Sequence, residues 1–128
     1  MKGLTDYDDL VKEVLFYLSE RVAAARALGL NDIIVDPGLG FAKTITQNYE
    51  LLNATEKLQI LDLPILIGLS RKSMITKTLG IDAASALNGT TALNMVALQK
   101  GASILRVHDV KEAVETVSLY QALKAESL

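Results

Sequence analysis

The stretch Ile33-Ile34-Val35-Asp36-Pro37-Gly38-Leu39-Gly40-Phe41-Ala42-Lys43 constrains the fold more than any other in the chain. Three β-branched residues, apolar on both faces of a strand, run straight into an acid, a proline and two glycines. A strand without a polar face belongs in a parallel sheet covered on both sides. Folds of that class carry their chemistry at the carboxyl ends of the strands, where the loop is open and the strand holds it still. The glycines permit positive φ or the close approach of a ligand. A carboxylate held there can accept two N–H bonds from a planar heterocycle. The same pattern also describes an Asx-turn or a helix-capping aspartate, so this stretch alone leaves both readings open.

The rest of the chain extends the α/β pattern. Leu10, Val14, Leu18, Val22 and Ala25 recur at helical spacing and predict a helix over 6–28, with Thr5 as N-cap and Gly29 just past its end. A second helix is predicted over 46–58. Thr44 with Gln47 makes a capping box, Thr46 is a rival cap, and Leu51, Leu52, Thr55 and Leu58 should pack inward. Ile65-Leu66-Ile67-Gly68-Leu69 and Ser103-Ile104-Leu105-Arg106-Val107 read as two more buried strands, alongside the one at 32–36. A short helix over 74–79 should stop at Gly80, and Asp82 should cap a turn or two after it. Asn88-Gly89 should mark a break or kink. Thr90 or Thr91 should open a strongly apolar helix to Lys100, and Asp109 should cap the last, over 110–124. The strand ends recur about every 35 residues, at Asp36, Ser70 and Arg106, one βα unit each. The order is α-β-α-β-α-β-α. The predicted fold class is α/β, a partial (β/α)8 barrel with three parallel strands and four or five helices, since a full barrel takes about 250 residues and this chain has 128.

Composition excludes several classes of function. Thirteen basic and 15 acidic side chains, evenly spread, give a net charge of −2 and no basic stripe for nucleic acid. Cysteine is absent, so there is neither a disulfide framework nor a thiolate site; this suits a reducing cytoplasm. No apolar run is long enough to span a membrane, and Met1-Lys2-Gly3 lacks a signal peptide's apolar region. A single histidine excludes His-rich metal sites.

Each strand turns polar at its carboxyl end: Asp36, then Ser70-Arg71-Lys72-Ser73, then Arg106 and His108. In a parallel sheet, strands about 4.8 Å apart bring these ends side by side. Lys72 and Asp36 can then reach one space. Arg106 and His108, two apart, point to one face. A guanidinium, an imidazole and hydroxyls suit an anionic group such as phosphate. Each residue also has a plainer reading: Lys72 as a solvated helix lysine, Arg106 as the ion-pair partner of an acid such as Asp109, His108 as a hydrogen-bonded structural residue, Phe41 as a core plug, Ser70 and Ser73 as caps.

Taken together, Asp36-Pro37-Gly38-Leu39-Gly40-Phe41-Ala42-Lys43, Gly68-Leu69-Ser70-Arg71-Lys72-Ser73 and Arg106-Val107-His108-Asp109, with Asn88-Gly89-Thr90-Thr91-Ala92 between, resemble the ordered motif set of the dihydropteroate synthases. The resemblance covers nearly the whole chain and implies the last three βα units of that family's barrel, preceded by a helix. It implies condensation of 6-hydroxymethyl-7,8-dihydropterin pyrophosphate with p-aminobenzoate in folate synthesis, with release of pyrophosphate. Carried over by motif, Asp36 would bind pterin ring nitrogens. Lys72, beside Gly68, would bond the pterin carbonyl side and border the aminobenzoate pocket. Phe41 and Ser73 would line that pocket, and Arg106 and His108 would hold the pyrophosphate. Lys72, Arg106 and His108 are thus the expected catalytic residues. Mg²⁺ would assist, with its ligands outside this chain. Ala42 and Leu69 depart mildly from the family pattern. The family's first half has no counterpart here, so the chain alone is expected to be inactive and to self-associate as a homo-oligomer through its open sheet. Alternative readings are a pterin-binding methyltransferase barrel, which would not need the Ser-Arg-Lys-Ser and Arg-x-His groups, and a non-catalytic binding or assembly module.

Overall fold

The computed structural model describes residues 4–41 and 43–126, so the readings of Met1-Lys2-Gly3 and of Ala42 fall outside the described residues. The elements run α1 (Leu4–Ala27), α2 (Ile45–Asn53), a 3-10 turn (Thr55–Leu61), β1 (Leu66–Ile67), α3 (Ser73–Leu79), a 3-10 turn (Ala83–Ser85), α4 (Leu87–Gln99), β2 (Ile104–Leu105) and α5 (Val110–Ala125). Strands β1 and β2 pair in parallel, Leu66 with Ile104 and Ile67 with Leu105. Val35 adds a parallel bridge to Ile65.

The strand expected at 32–36 therefore shrinks to one bridge. The reason is covalent. Val35 N–H bonds Pro64 C=O at 3.0 Å, and Leu66 N–H bonds Val35 C=O at 2.8 Å. The next rung of a parallel ladder would need an N–H at residue 37, which is proline and has none.

Register and alternation sort the side chains into two faces. Val35, Ile65, Ile67, Leu69 and Leu105 face the helices. The first four are at most 3 % exposed, packed with Leu51, Leu52, Leu58, Met74 and Ile75 from the helices and turn behind them. Asp36, Leu66, Gly68, Ile104 and Arg106 share the other face.

Two helix ends follow the sequence closely, although the helix expected over 46–58 stops at Asn53 and continues as the 3-10 turn. Gly29 adopts φ 88°. Its N–H bonds Arg26 C=O at 2.9 Å and Leu30 N–H bonds Ala25 C=O at 3.1 Å, which together close a Schellman motif. Thr44 and Gln47 make the reciprocal capping box. The residues expected to pack from the second helical stretch, Leu51, Leu52, Thr55 and Leu58, are all buried.

Four expectations are corrected. Thr5 lies inside α1 rather than before it. Asn88-Gly89 does not break the chain: α4 starts at Leu87 and runs through both. A Cβ at Gly89 would stand 2.6 Å from Ile75 Cγ2, so the glycine is there to let α4 approach α3. Thr90 consequently opens nothing; its hydroxyl accepts the Arg71 N–H at 3.0 Å. Asp109 precedes α5 but makes no side-chain cap, because its carboxylate is taken by Arg71.

Candidate functional site

The loop after Val35 is braced at nearly every polar group. Asp36 Oδ1 accepts the Gly38 N–H at 2.8 Å, the Asx-turn that the sequence allowed. Gly38 (φ 77°) and Gly40 (φ 89°) take the left-handed turns that follow. Asn48, 2 % exposed on α2, accepts the Gly40 N–H at 2.7 Å. Lys43 Nζ donates to Gly38 C=O at 2.9 Å and to Phe41 C=O at 3.2 Å. Lys72 Nζ, arriving from the next unit, donates to Leu39 C=O.

Arg106 lies opposite Gly68 on the open face. Its guanidinium crosses the sheet over that glycine, where a Cβ would stand only 2.8 Å from Cζ. It reaches Asp36, with Nη1 3.1 Å from Oδ2. The partner of Arg106 is thus Asp36, not Asp109. The Lys72 stem crosses Gly40 in the same way, with Cδ 3.1 Å from where a Cβ would be. Its Nζ lies 5.4 Å from the centre of the Phe41 ring, within cation–π range. Phe41 itself is 67 % exposed, so it is no core plug. The structure therefore brings Asp36, Phe41, Gly68, Lys72 and Arg106 to one rim.

His108, two residues beyond Arg106, is tied to the neighbouring loop. Its N–H donates to Ser70 Oγ at 3.3 Å, and its ring Nδ1 lies 3.1 Å from the same hydroxyl. Ser70 is buried. Ser73 is the exposed first residue of α3 and, among the described residues, makes no hydrogen bond to the others.

Electrostatics follow this packing. Burial first, and then the neighbouring Arg106, push the Lys72 ammonium below its ordinary value, with Asp36 pulling the other way. Burial likewise lowers Lys43, against the same carboxylate. The rim is a cationic patch around one carboxylate, open to solvent, with an adjoining cleft of about 600 Å³ between α1 and the loop; Glu13, Tyr17, Asp36, Phe41, Lys43 and Gln47 are among its lining. Such a surface can hold a polyanion on the cations and a hydrogen-bonding heterocycle on the acid.

Residue-level reading of the sequence missed Asn48, Thr90 and the pairing of Arg71 with Asp109. Asn48 was detectable, since it shares the helical spacing of Leu51, Leu52 and Thr55 yet is polar. Nothing in the sequence marks Arg71 as a left-handed residue, φ 57°. Among the described residues, no three His, Cys, Asp or Glu side chains stand close enough to share an ion.

Comparison with known proteins identifies the family. The family model described as "pterin binding enzyme" matches residues 1–108. The chain is 39 % identical over 124 residues to the dihydropteroate synthase of Escherichia coli K12, which spans 95 % of this chain and 44 % of that protein. It is 43 % identical over 126 residues to the enzyme of a Synechocystis strain, 96 % and 44 % respectively. The structure of the Xanthomonas albilineans dihydropteroate synthase in complex with 7,8-dihydropteroate superposes with a TM-score of 0.88 at 39 % identity, over 92 % of this chain and 46 % of that one. The chain spans less than half the length of these relatives, and with residues 1–108 matched to the family model it belongs to the pterin binding enzyme family.

Proposed function

We propose that this chain is the part of a dihydropteroate synthase that holds the pterin ring, the leaving pyrophosphate and one wall of the aminobenzoate pocket. One observation carries the reading: the loops that follow the Val35 bridge, β1 and β2 deliver an acid, an ammonium and a guanidinium to one rim, with Arg106 Nη1 3.1 Å from Asp36 Oδ2 and the Lys72 stem crossing the loop after Val35. Relatives of this name, one of them solved with dihydropteroate bound, support it. The fold is read as three βα units of a (β/α)8 barrel, supported by the parallel register of Leu66 with Ile104 and of Val35 with Ile65.

In this role Asp36 accepts N–H bonds from the pterin ring, and Lys72 donates to its carbonyl side. Phe41 and Ser73 line the pocket of the second substrate. The bond between the pterin methylene carbon and the pyrophosphate oxygen breaks, and a bond from that carbon to the aminobenzoate nitrogen forms. The amine proton passes to solvent. Arg106 and His108 stabilise the departing pyrophosphate, which lowers the barrier to ionisation. No covalent nucleophile is needed. The Mg²⁺ that the resemblance implies would have to be held by oxygens outside these residues, and no step here is routed through it. Since the chain spans 44 % of its relatives, condensation is expected to need residues from outside it, and the chain assayed alone with both substrates should not turn over. A methyltransferase barrel would leave Arg106 and His108 without a task.

A second copy of the chain is the expected partner. Ile34 on the open face is 53 % exposed, and Val110 and Val114 on α5 are 63 % and 58 % exposed. Calorimetry tests the site: inorganic pyrophosphate should bind the chain, and Arg106→Ala should remove that binding. Unaltered binding by the variant would defeat the reading.

A further inference from the structure

We infer that Arg71 and Asp109, which no motif role covers, form a positioning pair that holds His108 where the anion site needs it, against the loop that carries Lys72; this deepens the reading just proposed and rests on it. Arg71 lies between Ser70 and Lys72, in the tight turn closed by Lys72 N–H on Leu69 C=O at 3.1 Å. It adopts φ 57°, a conformation that side-chain-bearing residues rarely take and that this turn position ordinarily gives to glycine. Four further bonds hold it there. Its N–H donates to Thr90 Oγ1 at 3.0 Å, and its Nη1 donates to Ala83 C=O. Its Nε and Nη2 donate to the two oxygens of Asp109 at 3.1 and 2.9 Å, a forked pair.

Asp109 shows the same commitment. It stands immediately before α5, where an aspartate ordinarily caps, and it caps nothing. Its carboxylate spans to the neighbouring loop instead. Two parallel links therefore stitch residues 70–71 to residues 108–109: Ser70 Oγ to His108, and Arg71 to Asp109. Each residue of the pair is a sequence neighbour of a group proposed to touch substrate. Neither carboxylate nor guanidinium needs to touch the ligand itself. Their work is to fix the spacing, because a correctly placed charge pair gains most from the smallest displacement on binding.

The sign of one substitution separates positioning from simple charge. Asp109→Asn removes a negative charge beside an anion site, so through-space electrostatics alone would tighten pyrophosphate binding. Positioning predicts the opposite, about tenfold weaker binding, the loss of one charge-assisted contact. Arg71→Lys keeps the charge but loses the fork. Positioning again predicts weaker binding, whereas charge alone predicts no change. Calorimetric titration of inorganic pyrophosphate into the wild-type chain, Asp109→Asn, Arg71→Lys and Arg106→Ala reads all of this, with thermal melting to show that each variant is folded. Should Asp109→Asn fail to fold, Arg71→Lys decides. Weaker binding in folded Asp109→Asn or Arg71→Lys supports the pair. Unchanged or tighter binding in the folded variants, with Arg106→Ala still inactive in binding, overturns the pair and leaves the site standing. No binding by the wild-type chain overturns both.

Discussion

A methyl group at Gly68 would stand 2.8 Å from Arg106 Cζ and 2.9 Å from its Nε. The obstacle is the far end of a flexible, half-exposed side chain, so the backbone need not move. Gly68→Ala should therefore leave the melting temperature nearly unchanged while weakening pyrophosphate binding by about tenfold, since Arg106 loses its path across the sheet. A melt lowered by many degrees with binding intact would show that the glycine serves packing instead. Asp109 offers a second test at this scale. The hydrogen bond from Arg71 holds its carboxyl below the ordinary value. A carboxyl depressed on folding contributes stability that is present above its unfolded value, near 3.8, and is lost as pH falls through the folded one. The stability of the wild-type chain should thus fall on acidification below about pH 4 more steeply than that of Asp109→Asn. Parallel pH curves would count against the pair. The sequence did indicate which residues cluster, because Asp36, Lys72 and Arg106 each follow an apolar run that reads as a strand. It could not indicate who pairs with whom. Arg106 and Arg71 both had Asp109 within reach, and only the vacancy over Gly68 sends Arg106 to Asp36.

At the scale of elements, helices were far more legible than strands. A helix writes its period and its caps locally, as Thr44 with Gln47 and Gly29 past α1 do. Thr44→Ala should cost about 1 kcal/mol of stability in chemical denaturation, the usual loss of a cap. Strand length is decided by neighbours, and here Pro37 removes the donor that the ladder from Val35 would need next. The Asn88-Gly89 pair shows the same dependence on neighbours: a dipeptide that marks turns in isolation lies inside α4 and serves helix contact. Gly89→Ala gains roughly 1 kcal/mol of helix propensity but places a carbon 2.6 Å from Ile75 Cγ2 and 3.1 Å from Leu79 Cδ1. Ile75 is 2 % exposed and β-branched, so it cannot step aside. Net destabilisation of about 1–3 kcal/mol is expected from the overpacking; a stabilised variant would show that α3 and α4 have room.

For the whole molecule, the two faces of the sheet are treated differently. The helix-facing side is closed by Val35, Ile65, Ile67 and Leu69. The other carries the polar rim above Ile34 and Ile104, which are 53 % and 36 % exposed. We expect this apolar face, with the open sheet edge, to be covered by a second copy, so light scattering at micromolar concentration should report a mass above that of one 13.8 kDa chain; a monodisperse monomer would contradict this. No described helix is long and apolar enough to cross a membrane. The account depends most on the rim being one anion site fed by separate strand ends. His108 is the chain's only histidine, so its ring Hε1 proton gives one unambiguous nuclear magnetic resonance signal. Titration with inorganic pyrophosphate should move that signal saturably in the wild-type chain and leave it in place in Arg106→Ala. A saturable shift that survives Arg106→Ala, or no shift in the wild type, would contradict the account.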